Sequence, residues 1–157
     1  MIHEGFLGNQ NVRYIEAPEY RNGDQCGVLD TTSTSSNGYG PFVVHVAMTL
    51  DFNYLRGSVA AVHSILKHTS CPENVYFHFI ASESKTLKPD ELRKIVGAIF
   101  PSLDFKVYSF DDRVVKGLIS YSIREALEDP LNYARIYLKG RREEEMICER
   151  ERKWCFI

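Results

Sequence analysis

"FVVHVAMTLDFNYLRGSVAAVHSILKH", Phe42 to His68, decides the fold. Its opening run, Phe42–Leu50, is almost continuously apolar, carries β-branched residues and is too short for a typical helix. That is the pattern of a strand buried on both faces, as in a parallel sheet. Polar Asp51 and Asn53 follow it, and from Tyr54 to His68 the residues Leu55, Val59, Val62 and Leu66 recur at i, i+4, i+7 and i+11. Arg56, His63 and Lys67 share another side, so this segment reads as an amphipathic helix.

The same grammar repeats downstream. Asn74–Ala81 is a second strand candidate, bounded by Pro72 and by Ser82–Ser84. Leu92, Ile95, Val96, Ile99 and Phe100 then fall on one helical face, with Pro89 in the first turn and Pro101 beyond the end. Leu103–Phe110 alternates and reads as a third strand. The resulting β-α-β-α-β order implies a parallel sheet with right-handed crossovers, hence an α/β fold. Two more helical segments are predicted: one around Leu118–Leu127, then Leu131–Leu138 with Asp129 as N-cap and Pro130 at the first helical position.

The flanks differ in composition. Residues 1–40 are rich in Gly, Asn, Ser and Thr, and Asp30–Gly40 reads as a linker, so order is expected to begin at about residue 41. Between Arg141 and Lys153, ten of thirteen residues are charged, and the apolar pair Met146–Ile147 is adjacent, giving no buried stripe. The expected organisation is a flexible segment over 1–40, an α/β unit over 41–139 and a charged tail over 140–157, either a solvated helix or disordered.

At 157 residues and 44% hydrophobic, the chain is long enough for one domain burying roughly two thirds of its unfolded surface. Nineteen basic and 21 acidic residues give a net charge of −2 and are interspersed, which shows no nucleic-acid footprint and no polybasic membrane patch. The four cysteines, Cys26, Cys71, Cys148 and Cys155, are too sparse and irregular for a disulfide framework, and none forms a C-x-x-C pair. They leave the redox compartment undecided. "MIHEGFLGNQ" lacks the features of a signal peptide, and no stretch approaches the ~18 apolar residues of a membrane span. As written, the expectation is a cytoplasmic chain with no transmembrane segment.

In an open parallel sheet, ligands bind beyond the carboxyl ends of the strands. For the first strand that place is "TLDFNY", Thr49–Tyr54. Asp51 can accept from ribose hydroxyls or a uracil N–H, Asn53 can donate and accept, and Tyr54 offers a stacking face. The alternative is that Asp51 merely caps the helix. No G-x-G-x-x-G fingerprint and no P-loop occurs, which argues against a nicotinamide or flavin enzyme. Arg135, between Tyr133 and Tyr137, is either a diphosphate-binding fork or a solvated surface arginine. His63 and His68 lie on different faces of one helix, and His45 and His78 alternate with apolar strand residues, so core or surface roles outrank metal ligation. Asp111–Asp112 suits a turn or cap.

Several of these stretches resemble one family. "VHVAMTLDFNYLRGSVAAVHSILKHTSCPENVYFHFIA", "FPSLDFKVYSF" and "SIREALEDPLNYARIYL" are similar, in order and spacing, to the plant galacturonosyltransferase-like proteins of glycosyltransferase family 8. "YIEAPEYRNG", Tyr14–Gly23, resembles the segment preceding their catalytic domain, so the likeness runs from about residue 14 to 138. It implies a GT-A (Rossmann-like) nucleotide-sugar-binding fold, of which this chain carries the N-terminal half, mainly parallel and incomplete. The implied activity is retaining transfer of a hexosyl or galacturonosyl unit from a UDP-sugar to a cell-wall polysaccharide such as pectin or xylan, in the Golgi. By resemblance, Thr49, Leu50, Asp51, Asn53 and Tyr54 form the nucleotide-sugar site and Arg135 contacts the sugar-diphosphate. No catalytic residue is assigned.

The departures from the family are specific. Its Asp-x-Asp motif holds Mn²⁺ on the UDP diphosphate, where a hard cation neutralises charge on the leaving group. Here the aspartates stand at 24, 30, 51, 90, 104, 111, 112 and 129, and no two are separated by one residue. Glu143-x-Glu145 and Glu149-x-Glu151 have the spacing without a preceding strand, so no metal ligand is assigned. The family's acceptor-binding half, later histidine ligand and membrane signal are also not recognisable. The expectation is an impaired or inactive transferase, or else a non-catalytic fragment or interaction module that pairs with an intact relative. The fragment reading predicts an exposed sheet edge.

Overall fold

The structure is a computed structural model that describes residues 2–7, 10–26, 43–83, 88–115, 117–119, 128–137 and 154–156. Two N-terminal strands, β1 (Ile2–Leu7) and β2 (Gln10–Ile15), form an antiparallel hairpin. The α/β unit follows as β3 (Val44–Thr49), α1 (Leu55–His68), β4 (Val75–Ser82), α2 (Pro89–Ile99) and β5 (Phe105–Phe110). A 3₁₀ turn at Pro130–Tyr133 runs into the short helix α3 (Ala134–Tyr137), and β6 (Trp154–Phe156) completes the order. The α/β reading, with strands and helices within two residues of expectation, matches this frame. The helix expected around Leu118–Leu127 falls mostly outside the described residues.

β3, β4, β5 and β6 form one sheet in the order β5-β4-β3-β6, parallel throughout. Period-two alternation sorts the side chains. Val46, Met48, Phe77, Phe79, Ala81 and Val107 pack against Leu55, Val62 and Leu66 of α1 and Leu92, Ile95, Val96 and Ile99 of α2. Both helices therefore cover one face, as two successive right-handed crossovers in the same direction require. Ala47, Ile80 and Phe110 point to the other face, where Leu131, Ala134 and Val115 meet them. Helix ends are set locally: the Glu91 carboxylate accepts from the Lys88 N–H at 3.3 Å at the start of α2, and Asp129 accepts from the Leu131 N–H at 3.0 Å before α3.

Three expectations are corrected. The N-terminal segment is not a linker throughout: β1 and β2 pair over six residues each, and Val12, Tyr14, Ala17 and Tyr20 pack against the core. Residues 16–26 continue as a strap beneath the amino ends of the strands. Ala17 N–H donates to the Ile99 carbonyl at 2.7 Å and Gly23 N–H to the Ser70 carbonyl at 2.9 Å. Second, the irregular cysteine spacing concealed a disulfide: Cys26 is bonded to Cys71, 45 residues away, with their Cα atoms 5.6 Å apart. Third, the edge of β3 is not bare, because Trp154–Phe156 of the expected charged tail pairs with it, His45 opposite Trp154 and Ala47 opposite Phe156. The charge block 141–153 itself lies outside the described residues.

Candidate nucleotide-binding site

The strand order places a topological switch beside β3. From β3 the chain steps to β4 and then β5 on one side, and β6 lies on the other. The strand order thus reverses at β3, and in open α/β sheets ligands bind outside the carboxyl ends of the strands at such a reversal. The residues at the carboxyl end of β3 are Thr49–Tyr54.

Their side chains divide sharply. Leu50 is 2% exposed and belongs to the core beneath α1, with its N–H bonded to the Ile80 carbonyl at 2.9 Å, so it has only backbone to offer a ligand. Thr49 is half-buried. Asp51 is buried, and its Oδ1 accepts from the Tyr54 N–H at 2.9 Å, closing the turn that leads into α1. The capping role is therefore real. It occupies one carboxylate oxygen, and Oδ2 makes no hydrogen bond among the described residues. Asn53 is exposed, and Tyr54, at 66% exposure, presents its ring to solvent. The first turn of α1 contains no acidic residue and carries Arg56, so Asp51 is the carboxylate that meets the positive end of this helix.

The neighbouring strand ends are acidic but internally tied. Ser82 Oγ donates to Asp112 Oδ2 at 2.7 Å, and Ser109 Oγ donates to the Glu83 carboxylate. Asp111 caps the turn at Asp112–Val114 by accepting from the Arg113 N–H at 3.0 Å, and it grips the Arg113 guanidinium at 2.8 Å. That contact holds the Arg113 guanidinium above its ordinary pKa. No group of three or more His, Cys, Asp or Glu side chains gathers to hold a cation among the described residues.

Arg135 belongs to α3, which packs against β3 through fully buried Ala134, in contact with Ala47 and Ile80. The fold thus brings the element bearing Arg135 to the sheet face behind Thr49–Asp51.

Two polar constellations escaped sequence reasoning. His45 Nδ1 and His78 Nε2 lie 2.8 Å apart, and His78 Nδ1 lies 2.9 Å from the Tyr108 hydroxyl, so a hydrogen-bonded chain crosses β3, β4 and β5. Which ring nitrogen donates depends on the tautomer. Their even spacing with Tyr76, Ile80 and Ser82 was the available signal, but cross-strand register was not. The second is the strap. Tyr20 hydrogen-bonds His63 of α1, Arg21 bridges Glu73 at 3.0 Å, and Asn22 bonds both Glu73 and Asn74. Burial raises the Tyr20 phenol pKa, while the Arg21 hydrogen bond and then the Asn22 N–H draw the Glu73 carboxyl below its ordinary range.

A parallel sheet with both covering helices on one face is consistent with part of an α/β domain of the Rossmann-like GT-A type. More narrowly, the chain belongs to glycosyl transferase family 8, whose model matches residues 45–140. Its relatives include three Arabidopsis thaliana proteins. It is 57% identical over 130 residues to "Probable galacturonosyltransferase-like 8", covering 80% of this chain and 33% of that protein. It is also 57% identical over 124 residues to "Probable galacturonosyltransferase-like 10", covering 79% and 33%. With "Probable galacturonosyltransferase-like 9" the identity is 56% over 127 residues, covering 80% and 32%. The chain thus spans about a third of the length of these curated relatives. No solved structure matches it.

Proposed function

We propose that this chain is the donor-binding portion of a family-8 glycosyltransferase, taking the uridine diphosphate of a UDP-sugar at the switch point beside β3. The observation that carries the reading is the Thr49–Tyr54 turn: a buried carboxylate with one oxygen uncommitted, next to an exposed amide and an exposed phenol ring. In this arrangement Asp51 Oδ2 and Asn53 accept and donate to the nucleoside, and Tyr54 stacks on it. Thr49 and the Leu50 backbone form the floor. The diphosphate extends toward the first turn of α1 and the Arg135 helix, where positive potential favours it.

The names of the relatives favour a galacturonosyl unit as the group transferred; UDP-galacturonate as donor, a cell-wall polysaccharide such as pectin or xylan as acceptor and the Golgi lumen as compartment are part of the same reading. The Cys26–Cys71 disulfide supports an oxidising compartment of that kind. The reading includes donor binding with poor or no turnover, and what supports that part is the lack of any Asp-x-Asp pair in the sequence.

Calorimetric titration of the chain with UDP, UDP-galacturonate and ADP, each with and without Mn²⁺, tests this. The uridine ligands should bind in preference to ADP, with little change on adding Mn²⁺ and no sugar release above background. Equal binding of ADP, or no binding of either uridine ligand at millimolar concentration, would sink it. A second reading, a module that pairs with an intact relative, rests on the outer edge of β6, which has no partner strand among the described residues. Co-elution of the two on a sizing column supports it, and separate elution removes it.

A further inference from the structure

We propose that Asn22 is a latent self-modification site: the Asn22–Gly23 pair is set to lose ammonia through a cyclic imide, and the strap closed by Cys26–Cys71 holds it unreactive. In the reaction the Gly23 backbone nitrogen attacks Asn22 Cγ. The Cγ–Nδ2 bond breaks, the amide leaves as ammonia with the proton from the Gly23 nitrogen, and a five-membered succinimide forms. Water then adds to either imide carbonyl and opens the ring to aspartate or isoaspartate. Glycine is the following residue that hinders this attack least, because it has no Cβ.

The folded strap keeps the two reacting atoms apart by anchoring each to a different group. The nucleophile is committed, since Gly23 N–H donates to the Ser70 carbonyl at 2.9 Å. The electrophile is pinned on both sides: Asn22 Nδ2 donates to Asn74 Oδ1 at 3.0 Å, and Asn22 Oδ1 accepts from the Glu73 N–H at 2.9 Å. The Asn22 N–H is held in turn by Glu73 Oε2 at 3.2 Å. All of these partners lie at Ser70–Asn74, the segment to which Cys26 is covalently tied through Cys71. Breaking the disulfide frees the strap to open, and opening releases both atoms at once.

The product does not return. A carboxylate at position 22 presents oxygen to Asn74 Oδ1 and sits beside the Glu73 carboxylate, and isoaspartate lengthens the main chain and shifts Gly23 off Ser70. The strap therefore records a loss of the disulfide permanently. Gly23 is not needed for backbone conformation: among the described glycines only Gly117 has positive φ, and a Cβ on Gly23 would stand 3.4 Å from the Ser70 oxygen, the near edge of ordinary contact. Gly23→Ala is thus a variant that keeps the fold and slows the reaction, since its Cβ hinders the attacking nitrogen.

Peptide mass spectrometry, with enzymatic labelling of isoaspartate, follows conversion at Asn22 in four samples at mildly alkaline pH. These are the oxidised full chain, the same chain with reductant, the oxidised Asn74→Ala chain, and a synthetic peptide of residues 16–26 with Cys26 alkylated. Because conversion must wait for local opening, the oxidised chain should convert at least about tenfold more slowly than the peptide. Reduction and Asn74→Ala should each raise the rate, and Gly23→Ala should lower it in every sample. Circular dichroism shows whether the reduced chain stays folded; if it does not, the oxidised Asn74→Ala chain decides. An oxidised chain converting as fast as the peptide overturns the proposal. So does an Asn74→Ala rate equal to that of the oxidised parent, or a Gly23→Ala chain that converts as fast as its parent.

Discussion

Replacing both Cys26 and Cys71 with serine removes a cross-link between residues 45 apart in sequence. In the chain-entropy treatment the closed loop costs the unfolded state about 13 cal/mol/K, so its loss should destabilise the fold by about 4 kcal/mol at 25 °C. For a chain of this size that corresponds to a fall in Tm of about 8–16 °C. The hydrogen bonds Gly23–Ser70, Asn22–Asn74 and Tyr20–His63 need no sulfur, so the serine variant keeps them in its most populated native state while the strap opens more often than in wild type. The loss is therefore chiefly an unfolded-state effect, expressed in the midpoint rather than in the native spectrum. Thermal unfolding followed by circular dichroism, on wild type with and without reductant and on the double variant, separates the terms. Reductant should lower the wild-type midpoint to that of the variant and leave the variant unchanged. A loss below about 1 kcal/mol, or an equal response of both chains to reductant, would refute the reasoning.

Other outcomes follow from single side chains. Phe77, with no exposed surface, should cost about 3–5 kcal/mol as Phe77→Ala, measured by urea denaturation. Asp51→Asn keeps an oxygen to cap the Tyr54 N–H and should leave stability nearly unchanged while weakening UDP binding. Asp51→Ala should lose about 1 kcal/mol of stability as well, and calorimetry alongside melting distinguishes the two. Arg21 holds the Glu73 pKa below its unfolded value, so this pair stabilises the fold fully above the unfolded carboxylate pKa and loses its effect as pH falls through the depressed folded value. Glu73→Gln should accordingly lower stability at neutral pH, leave the acid end of the curve where it is, and so flatten the slope between them. Deleting residues 154–157 bares the edge of β3, and analytical ultracentrifugation should then show more self-association.

The α/β core was legible because its signals are local. Val46, Met48, Phe77 and Phe79 are apolar at strand spacing, and Leu55, Val62, Leu66 and Leu92 to Ile99 at helical spacing, so each element announces its own buried face. The Asp51 turn was legible as a place, being the strand–helix junction, although its capping bond could be named only as one of two uses. What escaped was long-range. Nothing around Cys26 or Cys71 tells which cysteine each will meet, since pairing depends on the strap lying under the sheet. Asn22 and Glu73 are ordinary polar residues until the fold brings them together. β6 was hidden for another reason: "WCF" follows a run of charge too dense to predict order, and three residues are too few for periodicity to register.

α1 joins the strap to the candidate site, and this raises the question of whether the disulfide tunes ligand affinity as well as stability. At one end it follows Asp51, Asn53 and Tyr54; at the other it is held through His63 and the Ser70–Cys71 segment. Its fourteen residues span about 20 Å, so a tilt of about 5° pivoting at the far end would move the Tyr54 end by nearly 2 Å. That would break the Asp51–Tyr54 bond. Against such a tilt stand Leu55, Val62 and Leu66, each at most 6% exposed along the full length of the helix and each worth about 1.5–3 kcal/mol of burial. Leu55 anchors the site end itself, within one turn of Asp51. Core packing therefore wins over the strap in fixing the helix axis, and the two ends are energetically separate. The Cys26→Ser/Cys71→Ser chain, kept well below its lowered Tm, should bind UDP within about twofold of wild type. A tenfold weakening with the near-ultraviolet spectrum unchanged would mean that the strap, and not the core, sets the position of α1.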